Sequence, residues 1–429
     1  MPVQISLRPP RGTKDKLPDE TFIMREVCEK LRSVFELYGY GEVETPAFEN
    51  LEVLVAKAGE EVVEQIYTFK DKAGRDLGLR FELTTPIARI VASRLEMPKP
   101  LRFYYIQPVW RYEEPQRGRL REFWQAGVEL IGVSGPEGDA EVIAVAHHAI
   151  RHTGLEQFNL RISHRVIVED ILISSGIPRE KLQEAFRILD KLDKRGRDYV
   201  VSELSKLGAS EASVDRSLEK LLTSGLDIEV STPTGIESLK YLRSLIEILE
   251  DAYNIKVSVD FGIVRGLGYY TGPVFEVKTP LGGEIGSIAG GGRYDDLISS
   301  LGGPRIPATG MAIGVERLIE ALASEGKTPQ APSPFDAVVI PVGQSLEVLK
   351  YAIKIAEMIR NKGSIRSVVE YETGSLSKAL EKASKKGATF AIIVGEKEVK
   401  LKKANVRNLK RWSETTVDFD EIVNFVALQ

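Results

Sequence analysis

The sequence predicts an α+β fold: strands built around a long hairpin, a helical block set between them, and a small α/β domain in the last quarter. The hairpin is Phe103–Gly132, FYYIQPVWRYEEPQRGRLREFWQAGVELIG. Phe103, Tyr104, Tyr105, Ile106, Val109 and Trp110 lead into its turn, and Phe123, Trp124, Val128, Leu130 and Ile131 leave it, all aromatic or branched. The helical block is residues 165–255, where apolar positions recur at helical spacing, as in Arg179–Leu192 and Ile236–Leu249. The α/β domain is read from the regular alternation of apolar strands and amphipathic helices after Phe335.

Composition sets the outer bounds. A chain of 429 residues predicts about three domains, and 43% hydrophobic with 28% charged residues is the profile of a soluble globular protein. The start, MPVQISLRPPRG, has no apolar core of signal-peptide length, and no run approaches the ~18 apolar residues of a membrane span. The lone Cys28 forms no internal disulfide and reads as buried packing in a helix, so a cytoplasmic location is expected. The net charge of −4 advertises no nucleic acid, but it is uneven: residues 335–429 hold 16 Lys and Arg against 12 Asp and Glu, which leaves −8 on the rest. A mildly basic end on an acidic body fits a chain that approaches RNA there.

In chain order, residues 8–18 are extended. Pro18-Asp-Glu20 opens a helix, with acids at its positive end and Ile23, Val27, Leu31, Val34 and Phe35 at helical spacing. Gly41–Pro46 reads as a short strand and residues 51–66 as a helix. Residues 67–82 read as a hairpin turning at Lys72–Arg75. Glu82 and Thr84 then lie between a strand and a helix, where binding groups collect, and Thr85 reads as the helix N-cap. In the 103–132 hairpin, seven of the thirteen residues from Arg111 to Phe123 are charged, and Pro115 and Gly118 force a wide turn. Such a loop is either a solvated tip or an arginine platform for a polyphosphate, which a flat guanidinium fork meets better than an ammonium.

A helix follows from Gly138 to about His152. His148 and His152 are four apart on it, yet no HExxH or cysteine cluster completes a zinc shell, so no metal site is expected. Strands return at 256–260 and 274–277. Between them Arg265-Gly-Leu-Gly-Tyr-Tyr-Thr-Gly272 lets backbone approach a ligand, and strand alternation predicts that Tyr269 and Tyr270 face opposite sides. Ser287–Gly292 (SIAGGG) reads as close backbone approach, and no GxxxxGK[ST] loop occurs. Gly310–Glu316 reads as a strand buried on both faces, with Arg317 at the start of the next helix, where a phosphate also meets backbone N–H groups. Residues 326–334 hold three prolines and read as a linker. Beyond it a small parallel sheet is expected. Lys397, Lys400, Lys402, Lys403, Arg407, Lys410, Arg411 and Trp412 form either an RNA surface or a solvated hairpin.

Taken together these segments resemble the class II aminoacyl-tRNA synthetases. The 103–132 hairpin and the strand ending in Gly310-Met-Ala-Ile-Gly-Val-Glu-Arg317 are similar to motifs 2 and 3 of that class. Arg265–Gly272 looks like the signature peptide of the histidyl-tRNA synthetases, and Arg8–Pro18 is similar to that family's approach to motif 1. The resemblance runs over nearly the whole chain in the family's order. It implies a catalytic domain built on an antiparallel sheet from residues 1–164 and 256–325, a helical insertion at 165–255, the 326–334 linker, and an anticodon-binding α/β domain at 335–429. It also implies a homodimer through the first helix and strand, although an ordinary packed helix has the same pattern.

The implied chemistry has two steps. The histidine carboxylate attacks the α-phosphorus of ATP, which enters with Mg2+, and the adenylate then passes its acyl group to the 3′ end of tRNA(His). Such chemistry needs positioning and charge stabilisation, which matches an arginine-rich set without a Ser/His/Asp arrangement. The resemblance gives Arg111 to the α-phosphate, Arg317 to the γ end of ATP, and Arg265 to the charge that grows during adenylation. Glu113 and Phe123 would take the adenine, and Arg119 either ATP or the first tRNA nucleotides. Glu82 and Thr84 would hold the α-ammonium, and Gln125 and Glu129 the imidazole, with Arg265, Tyr269 and Tyr270 around them. Gly268 and Trp124 stand where the family often carries Asp and His. Two rivals stand beside this reading: a regulatory subunit of ATP phosphoribosyltransferase, which binds histidine without catalysis, and a class II synthetase for another amino acid.

Overall fold

The structure is a computed structural model and describes residues 7–57, 63–114, 120–223, 225–264, 268–280, 286–371 and 374–427. The chain divides into two compact units, Met1–Pro329 and Gln330–Gln429.

The strands of the first unit are β1 (Gly41–Glu42), β2 (Phe48–Asn50), β3 (Thr68–Lys70), β4 (Asp76–Leu79), β5 (Leu101–Trp110), β6 (Glu122–Ile131), β7 (Asn159–His164), β8 (Ser258–Val259), β9 (Pro273–Lys278), β10 (Ser287–Arg293) and β11 (Ala308–Gly314). Among the described residues, eight of them form one sheet in the order β1-β5-β6-β11-β10-β9-β7-β8. Every pair from β5 to β7 in that order is antiparallel, and the edge pairs β1–β5 and β7–β8 are parallel. The long hairpin is thus strands β5 and β6, paired over ten residues each from Leu101↔Ile131 to Trp110↔Glu122. β3 and β4 form the expected hairpin, with β2 added to its edge.

Alternation divides the two faces of the sheet. Ala126, Val128 and Leu130 of β6 point to the face covered by helices Pro18–Leu37, Pro136–Thr153 and Val315–Ser324. Each of these helices begins as its sequence dictates. Pro18 and Pro136 occupy the first turn, with Asp19, Glu20, Glu137 and Asp139 at the positive end of the dipole. Helix Pro136–Thr153 stops at Gly154, whose φ of 108° no side-chain-bearing residue adopts readily. The helices of the 165–255 block bury Phe186, Leu189, Val200, Leu218 and Leu242 in the same continuous apolar cluster.

Several local expectations are corrected. The Gly41–Pro46 strand is only β1, because the segment pairs with β5 at Gly41 and Glu42 alone. The helix expected at 51–66 is Leu51–Val55, with 58–62 outside the described residues. Tyr269 and Tyr270 precede β9 in a turn, so alternation does not apply to them. Both are buried, with rings 4.9 Å apart, in one cluster.

The second unit holds β12 (Ala337–Pro341), β13 (Ser367–Val369), β14 (Phe390–Val394), β15 (Lys403–Asn408) and β16 (Ser413–Asp418), ordered β13-β12-β14-β15-β16. The first three are parallel, joined through helices Leu346–Gly363 and Leu376–Lys385. The last two are antiparallel, so the sheet is mixed and not wholly parallel. The reason is length: only Gly395, helix Glu396–Leu401 and Lys402 separate β14 from β15, too little for a parallel crossover.

Candidate active site

The sheet face opposite the long helices carries the predicted residues. On β6 the period of two sets Phe123, Gln125, Gly127, Glu129 and Ile131 on one side, and Gln107, Tyr105 and Phe103 of β5 lie across from Gln125, Gly127 and Glu129. Across on β11 the same side presents Gly310, Ala312 and Gly314. The space above these small residues is taken by side chains of the site: the Tyr105 ring lies over Gly127 and the Glu129 carboxylate over Gly310.

Glu129 is fully buried in this floor. Its Oε1 accepts the Thr84 hydroxyl at 2.6 Å and the Tyr105 hydroxyl at 3.3 Å, and its Oε2 accepts the Tyr294 hydroxyl. Burial pushes its carboxyl up to about 8, against the hydroxyl donors that favour the charged form. Gly310 makes the arrangement possible. It faces Glu129 across the ladder, and a Cβ there would overlap Oε2. Gly310→Ala is therefore expected to displace the carboxylate from Tyr294 and lower kcat/KM for the amino acid about 100-fold or more, read by steady-state kinetics.

Glu82 is buried beside it, and its carboxyl too is raised by burial. Its Oε2 accepts the Thr84 N–H at 2.6 Å and its Oε1 the Thr85 N–H at 2.8 Å. Glu82 thus caps helix Thr84–Ala92 from outside, and the N-cap reading of Thr85 is overturned: Thr85 lies within the helix. Thr84 bridges the two carboxylates, its N–H on one and its hydroxyl on the other. Two buried carboxylates held by amide and hydroxyl donors form a site for a ligand that brings positive charge and N–H groups. Next to them Gln125 is 8% exposed, and its buried Oε1 has no hydrogen-bond partner. Tyr269 and Tyr270 close the same region, with Tyr269 packed 5.8 Å from Tyr294.

The arginines stand at the rim. Arg111 Nε donates to the Phe81 carbonyl at 2.8 Å, its guanidinium lies 5.2 Å from the Phe123 ring centre, and Glu113 is 3.9 Å away. Arg317 lies in the first turn of helix Val315–Ser324 and donates to the Ser287 carbonyl at 2.8 Å. Its neighbour Glu316 turns elsewhere, accepting Lys16 Nζ and the Trp124 N–H, each at 2.9 Å. Arg265 and Arg119 lie outside the described residues.

Set against known proteins, the chain matches the family model of histidyl-tRNA synthetase over residues 12–318 and that of the anticodon binding domain over 336–428. It is 40% identical to the histidine–tRNA ligase of Thermococcus kodakarensis, covering 97% of this chain and 98% of that one.

The chain belongs to the histidyl-tRNA synthetase family.

It is a class II aminoacyl-tRNA synthetase, of a family that uses ATP. The ligase of Pyrobaculum islandicum is also 40% identical, over 96% of this chain and 97% of its own. Among solved structures, histidyl-tRNA synthetase from Nostoc superimposes with a TM-score of 0.75 at 25% identity, covering 99% of both chains. A Bacillus halodurans structure described as an ATP phosphoribosyltransferase regulatory subunit/histidyl-tRNA synthetase gives 0.74 at 27% identity, over 91% of this chain and 99% of that one. The mixed architecture, an antiparallel-rich sheet with a separate C-terminal α/β domain, is that of the synthetases.

On helix Pro136–Thr153, His148 Nδ1 pairs with the Tyr38 hydroxyl at 2.7 Å. Three contributors were not legible beforehand. Tyr105 read as a strand aromatic, Tyr294 carried no reading, and Arg121 counted as one more loop charge. Arg121 is buried 4.0 Å from the Tyr112 ring centre, and its Nε donates to the Glu113 carbonyl, which holds the loop beside Arg111. Alternation was the available signal for Tyr105, since it shares the Gln107 face.

Glu129 also predicts a pH dependence of stability. Its folded pKa lies above the usual carboxylate value, so folding favours the protonated form, and that stability is lost as pH rises toward 8. The ligand-free synthetase is expected to lose of order 1 kcal/mol per pH unit from this group between about pH 5 and 8. Denaturant midpoints of wild type and Glu129→Gln across that range check it: the difference should follow pH, and parallel curves refute the assignment.

Proposed function

We propose that the enzyme forms histidyl-adenylate from histidine and ATP and transfers histidine to the 3′ end of tRNA(His) for protein synthesis. The observation that carries the amino-acid half is the buried Glu82–Thr84–Glu129 arrangement, closed by Tyr269 and Tyr270 beside an unpaired Gln125 carbonyl. The α-ammonium goes to Glu82 and Thr84, and an imidazole N–H to Glu129. A pocket that offers its carboxylate to a ring N–H rejects analogues lacking one, because the buried acceptor is then left unpaired. Arg111, Phe123, Glu113 and Arg317 take ATP, Arg265 joins at the reacting phosphate, and Arg119 serves ATP or the tRNA end. Mg2+ would enter on the triphosphate.

Residues 1–164 and 256–325 would act as the catalytic core, 165–255 as an insertion, 326–334 as a linker and 335–429 as the anticodon-binding domain. A cytoplasmic homodimer is the assembly we favour. Its support is β1, the outermost strand of the sheet among the described residues, with the exposed Leu37 just before it. Among the described residues, no helix is long and apolar enough to cross a membrane.

ATP–pyrophosphate exchange with each of the twenty amino acids, in Mg2+ without tRNA, tests the reading. Exchange with histidine alone is expected. Exchange with another amino acid would keep the arginine roles and overturn the pocket. No exchange with any would favour the regulatory-subunit reading, against which stand Arg111, Arg265, Arg317 and the domain at 336–428.

The tRNA half rests on the second unit. At the tip between β15 and β16, Trp412 is 72% exposed at a φ of 52°, in a turn held by the Lys410 and Arg411 N–H groups on Asn408 Oδ1. An exposed indole directly after two cations is suited to stack on an unpaired base. Trp412→Ala is expected to raise KM for tRNA about 10-fold while leaving pyrophosphate exchange unchanged; equal aminoacylation kinetics would remove the tip from the interface.

A further inference from the structure

The polar network behind the pocket carries more than packing. Arg293, the last residue of β10, is 5% exposed. Its Nε donates to Asp139 Oδ2 at 3.0 Å, its Nη1 to the Val133 carbonyl at 3.0 Å and Asp295 Oδ1 at 3.2 Å, and its Nη2 to the Gly135 carbonyl at 3.2 Å. The guanidinium is therefore seated on the segment that opens helix Pro136–Thr153.

The next two residues reach the pocket. Tyr294 donates to Glu129 Oε2 and packs beside Tyr269. Asp295 N–H donates to Thr271 Oγ1 at 3.1 Å, and the Thr271 N–H returns to the Arg293 carbonyl at 2.8 Å, one residue after the Tyr269–Tyr270 pair. The position of Arg293 thus sets where the Tyr294 hydroxyl and the tyrosine turn stand. Gly272 permits the packing, since a Cβ there would lie 3.2 Å from the Arg293 side chain.

The other end of the network is in the helical insertion. Tyr241, on helix Pro233–Glu247, donates to Asp139 Oδ2 at 2.7 Å, the oxygen that Arg293 also uses. Asp139 is 2% exposed, and its second oxygen, Oδ1, has no hydrogen-bond partner. The carboxylate is therefore oriented through Oδ2, between a core arginine and an insertion tyrosine.

We propose that Arg293 is a positioning residue for the histidine pocket, and that the Tyr241 hydroxyl ties the 165–255 insertion to it through Asp139. The insertion then serves the amino-acid step as well as any contact with RNA, because a shift of helix Pro233–Glu247 reaches Tyr294 and Glu129 through three side chains. This rests on the proposed histidine activation.

The test is ATP–pyrophosphate exchange by the full-length protein. Tyr241→Phe removes one hydroxyl and keeps the ring. It is expected to raise KM for histidine about 5-fold, with kcat and KM for ATP within about 2-fold. Arg293→Lys, which keeps the charge but not the fork, should raise it further, and Arg293→Gln further still. Should the Arg293 variants fail to fold, Tyr241→Phe and Asp139→Asn decide the matter. An unaltered KM for histidine in Tyr241→Phe, or a loss shared equally by histidine and ATP, overturns the inference alone. A wild-type enzyme that does not activate histidine overturns the proposed function and this inference with it.

Discussion

Glu129→Gln is expected to lower kcat/KM for histidine about 1,000-fold in pyrophosphate exchange, with KM for ATP changed less than about 3-fold. The exchange is nearly isosteric, so the cavity survives. What is lost is a buried carboxyl that accepts from Thr84, Tyr105 and Tyr294 and that, although burial keeps it protonated near neutral pH in the empty pocket, ionises against a ring that brings positive charge. A charged hydrogen bond in so dry a place contributes roughly 3 kcal/mol, and the amide adds an N–H that must itself be satisfied. Together these approach 4 kcal/mol, which is the 1,000-fold expected. The two substrates separate because Glu129 lies at the protein end of the face while Arg111 and Arg317 stand at its rim. If histidine and ATP suffer alike, Glu129 supports the fold and does not select the amino acid.

Arg111→Lys is the second large effect. The charge is retained, so simple electrostatics predicts little change. The structure predicts a fall of about 100-fold or more in the exchange rate. Arg111 Nε is committed to the Phe81 carbonyl and its plane lies near Phe123. That anchoring fixes where the rest of the guanidinium presents N–H groups to a phosphate. A lysine's three donors diverge from a single nitrogen, so it cannot hold the Phe81 carbonyl and also present a flat pair of N–H groups to a phosphate. The cost should fall on kcat, because charge stabilisation at the α-phosphate matters most in the transition state. KM for histidine should stay within about 5-fold. A rate close to wild type would show that a point charge suffices and that Arg111 is no fork.

Much of this site was legible in the chain. The aromatic and branched residues of 103–110 and 123–131 placed the strands, the charged residues between them marked the loop, and strand alternation supplies the rest. It also put Phe123, Gln125 and Glu129 on one face, since strand residues two apart share a side. The glycines of 287–292 announced close approach without saying what approaches, and 310–316 read only as a strand buried on both faces. The helix start at Pro18 followed from local chemistry, while the later helix was read from Gly138 and begins two residues earlier, at Pro136.

What the sequence withheld is who stands opposite whom. Glu129 takes its hydroxyls from Thr84, Tyr105 and Tyr294, which are 45, 24 and 165 residues away. Glu82 and not Thr85 caps the helix, because a buried carboxylate two residues upstream reaches both N–H groups. The last two strands turned the C-terminal sheet mixed, because the link before them is too short to cross over. Gly310 acquired its purpose only when β11 settled against β6 in a register that puts it under a carboxylate. Local periodicity determines which side of a strand a residue takes. Register between distant strands decides what it meets there, and that is set by the whole core closing at once.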